Sequence, residues 1–203
     1  MLEVIELQHL KQTDYAVSTW KGGTTKQIAI YPPNALYAEH NFLWRVSSAT
    51  VESDESTFTN LPDYDRQIAT LDTGICLSHD GIEYTALKPF EVYSFDGGVV
   101  THAKGHCIDF NLMLRKERAF GKIRALRLDG AQRISLLEDN RIDNMRKSII
   151  CYCVKGEAKL SVNEQSMLLH AGESALSLTF PAKEFSLQGC DSVVCMLAEV
   201  WTR

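Results

Sequence analysis

Apolar residues in this chain come in short runs, and turn residues end most runs within a few positions. Gln27 to Tyr31 stops at Pro32-Pro33. Arg66 to Leu71, Ile75 to Ser78, Tyr84 to Leu87 and Glu91 to Phe95 follow closely. Between and after them stand Asp72-Thr73-Gly74, His79-Asp80-Gly81, Lys88-Pro89 and Asp96-Gly97-Gly98. Runs this short suit strands and are too short for core helices. Asp80-Gly81 is a hairpin signal, because glycine enters the left-handed backbone region without a steric cost. Helical periodicity is scarce. Leu2 to Leu10 suits a strand as well as a helix, and Ala131 to Leu137 is ambiguous. The spacing predicts an all-β chain of antiparallel strands closed into sandwiches or barrels, since closure removes exposed strand edges.

The second half repeats the plan. Ile149 to Val154, Ala158 to Val162, Ser166 to Leu169, Ala175 to Leu178 and Val193 to Val200 read as strands. Leu77-Ser78, Asp80-Gly81, Leu87 and Phe90-Glu91 align with Leu160-Ser161, Asn163-Glu164, Leu169 and Gly172-Glu173. Such an internal repeat predicts two tandem β-barrel units. The expected division is 1–118 and 119–203, joined around 115–130, with exchange of strands between the units allowed for. A module of this kind resembles a cupin, an RmlC-like jelly roll, so the architecture reads as a bicupin.

Composition narrows the function. The 203 residues are 45% hydrophobic and 23% charged, with a net charge of −5, as in an ordinary globular protein. In the one basic segment, Arg141, Arg146 and Lys147 are interleaved with Asp139 and Asp143. Nucleic-acid binding needs a basic footprint to neutralise phosphates, so no nucleic-acid partner is expected. No apolar run approaches a membrane span, so no membrane partner is expected. Met1-Leu2-Glu3-Val4-Ile5-Glu6 lacks the basic region and apolar core of a signal peptide, which predicts a cytoplasmic protein. In that compartment Cys76, Cys107, Cys151, Cys153, Cys190 and Cys195 read as reduced thiols. Cys151-Tyr152-Cys153 places two thiols on one strand face without a second pair, so it reads as two small buried hydrophobes.

Three stretches set polar residues among large apolar ones: Trp20-Lys21-Gly22-Gly23-Thr24-Thr25, Phe42-Leu43-Trp44-Arg45-Val46-Ser47-Ser48-Ala49 and Asp109-Phe110-Asn111-Leu112-Met113. Burying such groups is costly unless they are paired or hydrogen-bonded. They therefore converge on each other or on a small polar ligand. Strand alternation puts Arg45, Ser47 and Ala49 on one face, opposite Phe42, Trp44 and Val46. It also puts Asp109, Asn111 and Met113 on one face. Arg45 offers a planar fork for a carboxylate. It could equally fasten two strands through Asp109 or Asp65. Arg66, after Asp63 and Asp65, reads as a ligand contact or a solvated rim residue. Trp20, Thr24 and Thr25 complete the candidate ligand-binding set, with core packing the competing reading for Trp20 and plain strand propensity for the threonines.

These motifs, in order, resemble the HutD/Ves family. The matching residues include the Trp20 motif with Ile30-Tyr31-Pro32, and the Arg45 motif. They continue with Ser56-Thr57-Phe58-Thr59, Leu61-Pro62, Arg66, Lys88-Pro89-Phe90, Phe95-Asp96-Gly97-Gly98, Gly105 and the Asp109–Met113 stretch. The resemblance covers most of 15–118 and implies a bicupin fold and a cytoplasmic protein tied to histidine utilisation. It implies a bound pathway intermediate such as N-formylglutamate. The family pattern carries an asparagine between the lysine and the glycines of the Trp motif, and a glutamate where this chain has Gln27. This chain has neither.

Cupins often hold a metal through paired histidines and a glutamate. This chain has no His-x-His, so neither metal nor cofactor is expected. His102 and His106, four apart, flank Gly105 in what reads as a hairpin. The expected function is a metal-free binder of a small anionic or polar metabolite. One competing class is an isomerase or hydrolase with Asp109 as general base beside Arg45 as anion anchor. Another makes the C-terminal unit a surface for a homodimer or another partner.

Overall fold

A computed structural model describes residues 5–137 and 145–203, except the side chains of residues 190 and 191. Met1 to Val4, Asp139, Arg141, Asp143 and the side chain of Cys190 thus lie outside the described residues. Among the described residues no helix is long and apolar enough to cross a membrane. The chain is nearly all strand, as expected, and divides into two compact units. Tyr15–Phe120 form the first; described residues 5–14 and 121–203 form the second. Residues 5–14 thus group with the C-terminal half of the chain.

The first unit holds β2 (Ala16–Trp20), β3 (Gly23–Tyr31), β4 (Trp44–Val51), β5 (Glu55–Thr57), β6 (Tyr64–Thr70), β7 (Ile75–Ser78), β8 (Thr85–Leu87), β9 (Tyr93–Asp96), β10 (His102–Lys104) and β11 (Cys107–Arg115). Six of them form an antiparallel sheet in the order β2-β3-β4-β11-β6-β9. The other four form a sheet in the order β5-β10-β7-β8. One apolar cluster joins the two sheets: Val51, Ile68 and Cys107 meet Ile75, Leu77, Leu87 and Ala103. A second gathers Ala35, Phe42, Leu61, Tyr64 and Met113, with the Phe42 and Tyr64 rings stacked at 4.4 Å.

Alternation assigns the faces of β4 and β11. Trp44, Val46, Phe110 and Leu112 are fully buried on one face, each worth roughly 1.5–3 kcal/mol in burial. That burial fixes the register, because a one-residue slip would turn every side chain over. Arg45, Ser47, Asp109 and Asn111 are thereby held on the opposite face, inside the barrel.

The second unit holds β1 (Gln8–Leu10), all but the first two residues of β12 (Ala119–Ser135), β13 (Arg146–Lys155), β14 (Glu157–Val162), β15 (Gln165–His170), β16 (Ser174–Ser177) and β17 (Glu184–Thr202). They make one sheet, β1-β16-β13-β17-β14-β15, with β12 also paired to β17. Its apolar core includes Cys151, Cys153, Leu160, Leu169, Phe180, Leu187, Cys195 and Leu197. Glu199, opposite Ile149, is also fully buried and accepts from Arg124 Nε at 3.1 Å and from the Leu137 N–H at 2.8 Å. The region read as a joint, 115–130, is mostly strand: β12 runs through it and on through part of the ambiguous 131–137. The two aligned repeat segments are both hairpins, β7–β8 and β14–β15. Gly81 (φ 74°) and Asn163 (φ 52°) take the left-handed backbone their turns need.

Candidate functional site

A cavity of about 200 Å³ lies inside the first barrel. Its floor is the interior face of β3, β4, β11 and β6. Pairing sets Arg45 opposite Met113 and Met113 opposite Arg66, so one row across three strands carries both arginines. Asn111 lies opposite Ser47 in the next row. Thr57, Phe58 and Thr59 line another wall. The exposed lining residues Ser18, Trp20, Thr57 and Thr59 lie on or next to the edge strands β2 and β5, so the cavity opens there.

Both arginines are only 5% exposed. Arg45 Nε donates to Gln27 Oε1 at 2.9 Å and Nη1 to Ser47 Oγ at 3.1 Å. Its guanidinium stacks 4.4 Å from the Tyr37 ring centroid. Arg66 lies over Phe58 at 4.9 Å and Phe95 at 5.2 Å, and Nη1 donates to Thr59 O at 3.3 Å. Aromatic faces attract a cation but do not neutralise it. Among the described residues neither guanidinium reaches a carboxylate at salt-bridge distance, so Arg45 is not fastened to Asp109 or Asp65. Arg66 Nε and Asn111 Oδ1 are buried without hydrogen-bond partners.

Burial dominates the titration of the cavity. It lowers Arg45 from its ordinary value, against the opposing pull of Tyr37 and Asp109. It lowers Arg66 to about 10, with the Arg45 charge adding to the effect. Asp109 is pushed up to about 6, also by burial. The Ala49 N–H, which donates to its Oδ1 at 3.1 Å, and the two arginines only partly restore its acidity. The cavity is therefore electropositive at neutral pH, with two cations facing one reluctant carboxylate.

Of the eight residues singled out in the sequence, Trp20, Thr25, Arg45, Ser47, Arg66, Asp109 and Asn111 all line this cavity. Thr24 does not. It is next to Thr25 on β3, where successive side chains take opposite faces. Arg66 is buried, not at a solvated rim, because Phe58 and Phe95 cover its charge. Trp20 is 38% exposed at the mouth and is not a core residue. A Cβ at Gly22 would collide with the Trp20 ring, so glycine lets the indole lie against the backbone. Tyr37, Phe58, Thr59 and Gln27 were missed. Phe58 and Thr59 stand inside a quoted motif, and Gln27 shares a face with Thr25 by alternation.

Two guanidiniums and one carboxylate do not suit a divalent cation. Among the described residues no group of three or more His, Cys, Asp or Glu is placed to hold one. His102 bonds to Thr57 and His106 to Asp54, each singly.

A HutD family model matches residues 12–195. A conserved protein of unknown function, PA5104 from Pseudomonas aeruginosa PAO1, is 23% identical, with a TM-score of 0.81 over 96% of this chain and 98% of that one. HutD from Pseudomonas fluorescens SBW25 is 23% identical, with a TM-score of 0.75 over 98% and 100%. A cupin 2 conserved barrel domain protein from Leptotrichia buccalis is 9% identical, with a TM-score of 0.55 over 98% of each chain. Likeness at these identities shows the fold, a bicupin. No curated protein matches the chain.

Proposed function

The chain belongs to the HutD family, and on that premise we propose that its first unit binds a small carboxylate metabolite of the N-formylglutamate type. Binding makes the protein a metabolite-responsive modulator of histidine utilisation or a related pathway. One observation carries this reading: two buried guanidiniums share a cavity and, among the described residues, no carboxylate is bonded to either. Removing a charge from water without a counter-charge is costly, and a bound anion supplies one. The planar fork suits two parallel bonds to a carboxylate. Asn111 Oδ1, an acceptor without a donor, suits an N–H on the same ligand.

Calorimetric titration with N-formylglutamate, glutarate and formate tests the proposal. At least one should bind with a stoichiometry near one, and Arg45→Ala should weaken it. Failure of all three against the unmutated protein overturns the anion-site reading.

A second reading rests on Asp109. A carboxyl titrating near 6 within an anion site is suited to general acid–base work. If the bound carboxylate is recovered unchanged after prolonged incubation, the enzyme reading fails and the binding reading stands.

A further inference from the structure

A second cavity, of about 420 Å³, adjoins the arginine cavity in the same unit. Trp20 and Thr57 line both. The Trp20 indole rests on Gly22, and Gly22 itself lines the second cavity, so the ring forms a divider between the two spaces. Sites for small metabolites measure roughly 300–1,000 Å³. The arginine cavity alone, at about 200 Å³, falls short of this range. With its neighbour it falls inside the range.

Of the charged residues lining the second cavity, Lys21 stands exposed on the turn between β2 and β3, where water already solvates it, and Glu55 is matched. Glu55 pairs with Lys104 at 3.1 Å, and Lys104 lies 4.4 Å from the Tyr84 ring centroid. His102 Nδ1 is bonded to Thr57 Oγ1 at 3.1 Å. Ser53 Oγ, shielded from solvent and lining this space, has no hydrogen-bond partner. The cavity thus offers an unused hydroxyl and the two rings of Trp20 and Tyr84. That combination suits a neutral, flat, hydrogen-bonding group better than a second charge.

We infer that the two cavities form one bipartite site: the carboxylate head sits between Arg45 and Arg66, and an uncharged amide- or hydroxyl-bearing tail passes Trp20 into the space beside Ser53 and Tyr84. This inference rests on the anion-site reading above and makes the ligand longer than a simple dicarboxylate. Two probes with the same head and different reach test it, succinamate and N-succinyl-glycinamide. Calorimetry on the whole protein should show the longer probe binding about tenfold tighter or better. Ser56→Trp, on edge strand β5, should fill the second cavity. It should abolish that gain, leave succinamate affinity unchanged and keep the thermal midpoint. Tyr84→Ala, which only removes a wall, should reduce the gain and carries the test if Ser56→Trp does not fold. Equal affinity for the two probes, or a gain that survives these variants, overturns the bipartite site. If neither probe binds the unmutated protein, the anion-site reading falls first.

Discussion

The two units use the same antiparallel architecture around opposite interiors. In the second, facing strand positions are filled by Cys151, Cys153, Leu160, Leu187, Cys195 and Leu197, all fully buried. In the first, the corresponding interior face carries Arg45, Ser47, Arg66, Asp109 and Asn111 around a cavity. A filled apolar core gains burial and dispersion energy. A barrel with two buried cations gives up part of that stability and, on the function proposed, keeps a place for an anion. The thiols show the same contrast. Hydrogen bonding of Cys153 to Cys195 and of Cys195 to Cys151, followed by burial, pushes the Cys153 and Cys195 thiols far up, so they are inert packing groups.

The largest effect expected from this contrast is on stability and belongs to the second unit. Leu160→Ala or Leu197→Ala removes a fully buried side chain from an apolar cluster. Each should cost about 2–5 kcal/mol in denaturant unfolding. Ligand affinity measured below the transition should not move. A loss of affinity from either variant would mean that the second interior is part of the site.

The next effect is on binding and belongs to the first unit. Arg45→Ala removes a desolvated guanidinium and should weaken carboxylate binding by about tenfold to a hundredfold, or roughly 1.5–3 kcal/mol. Arg45→Lys keeps the charge but loses the fork, and should fall between wild type and alanine. Stability should hold or rise, since an uncompensated buried charge is gone. A folded Arg45→Ala variant with unchanged affinity would make the arginine structural.

Much of this contrast was readable in the sequence because alternation is a strong constraint. Once Trp44, Val46, Phe110 and Leu112 claim one face, Arg45, Ser47, Asp109 and Asn111 must share the other. The same rule separates Thr24 from Thr25, a consequence that motif matching alone passes over. Strand β12 was hidden for a definable reason. Its buried positions are odd-numbered at Ala119 and Ile123 and even-numbered at Leu126, Leu128 and Ile134. No single alternation runs through it, and Gly121 and Gly130 imitate turn signals. Tyr37 was not legible because it reaches Arg45 from a short 3₁₀ turn, Tyr37–Glu39, with no periodicity to read. Phe58 and Phe95 cover Arg66 through tertiary packing that strand pattern does not encode.

Acidity gives a smaller and more diagnostic difference. Asp109 titrates at about 6 in the folded chain, against about 3.9 unfolded. The raised value means that the folded state favours the protonated form. The associated stability is complete below about pH 4 and is lost as pH rises through 6. Protonation also removes the one negative charge beside Arg45 and Arg66. Carboxylate affinity should therefore rise a few-fold between pH 7.5 and 5, while the ligand itself stays ionised. Asp109→Asn should flatten both profiles. A pH profile unchanged in that variant would assign the titration to another group.

The smallest effect separates the inside of the first barrel from its rim. Lys21 carries the same formal charge as Arg45 but is exposed on the turn between β2 and β3, and it lines only the second cavity. An exposed ammonium is already solvated and screened, so its interaction with a nearby anion is weak. It can also retreat into water without leaving a buried group unpaired. Lys21→Ala should thus change carboxylate affinity by less than about twofold, within roughly 0.5 kcal/mol. What little it changes should vanish in moderate salt, whereas the Arg45→Ala loss should persist. Calorimetry of both variants at low and high ionic strength makes the comparison. If Lys21→Ala matched Arg45→Ala at high salt, burial would not be what makes these arginines effective. The contrast between a desolvated interior and a wet rim would then have to be abandoned.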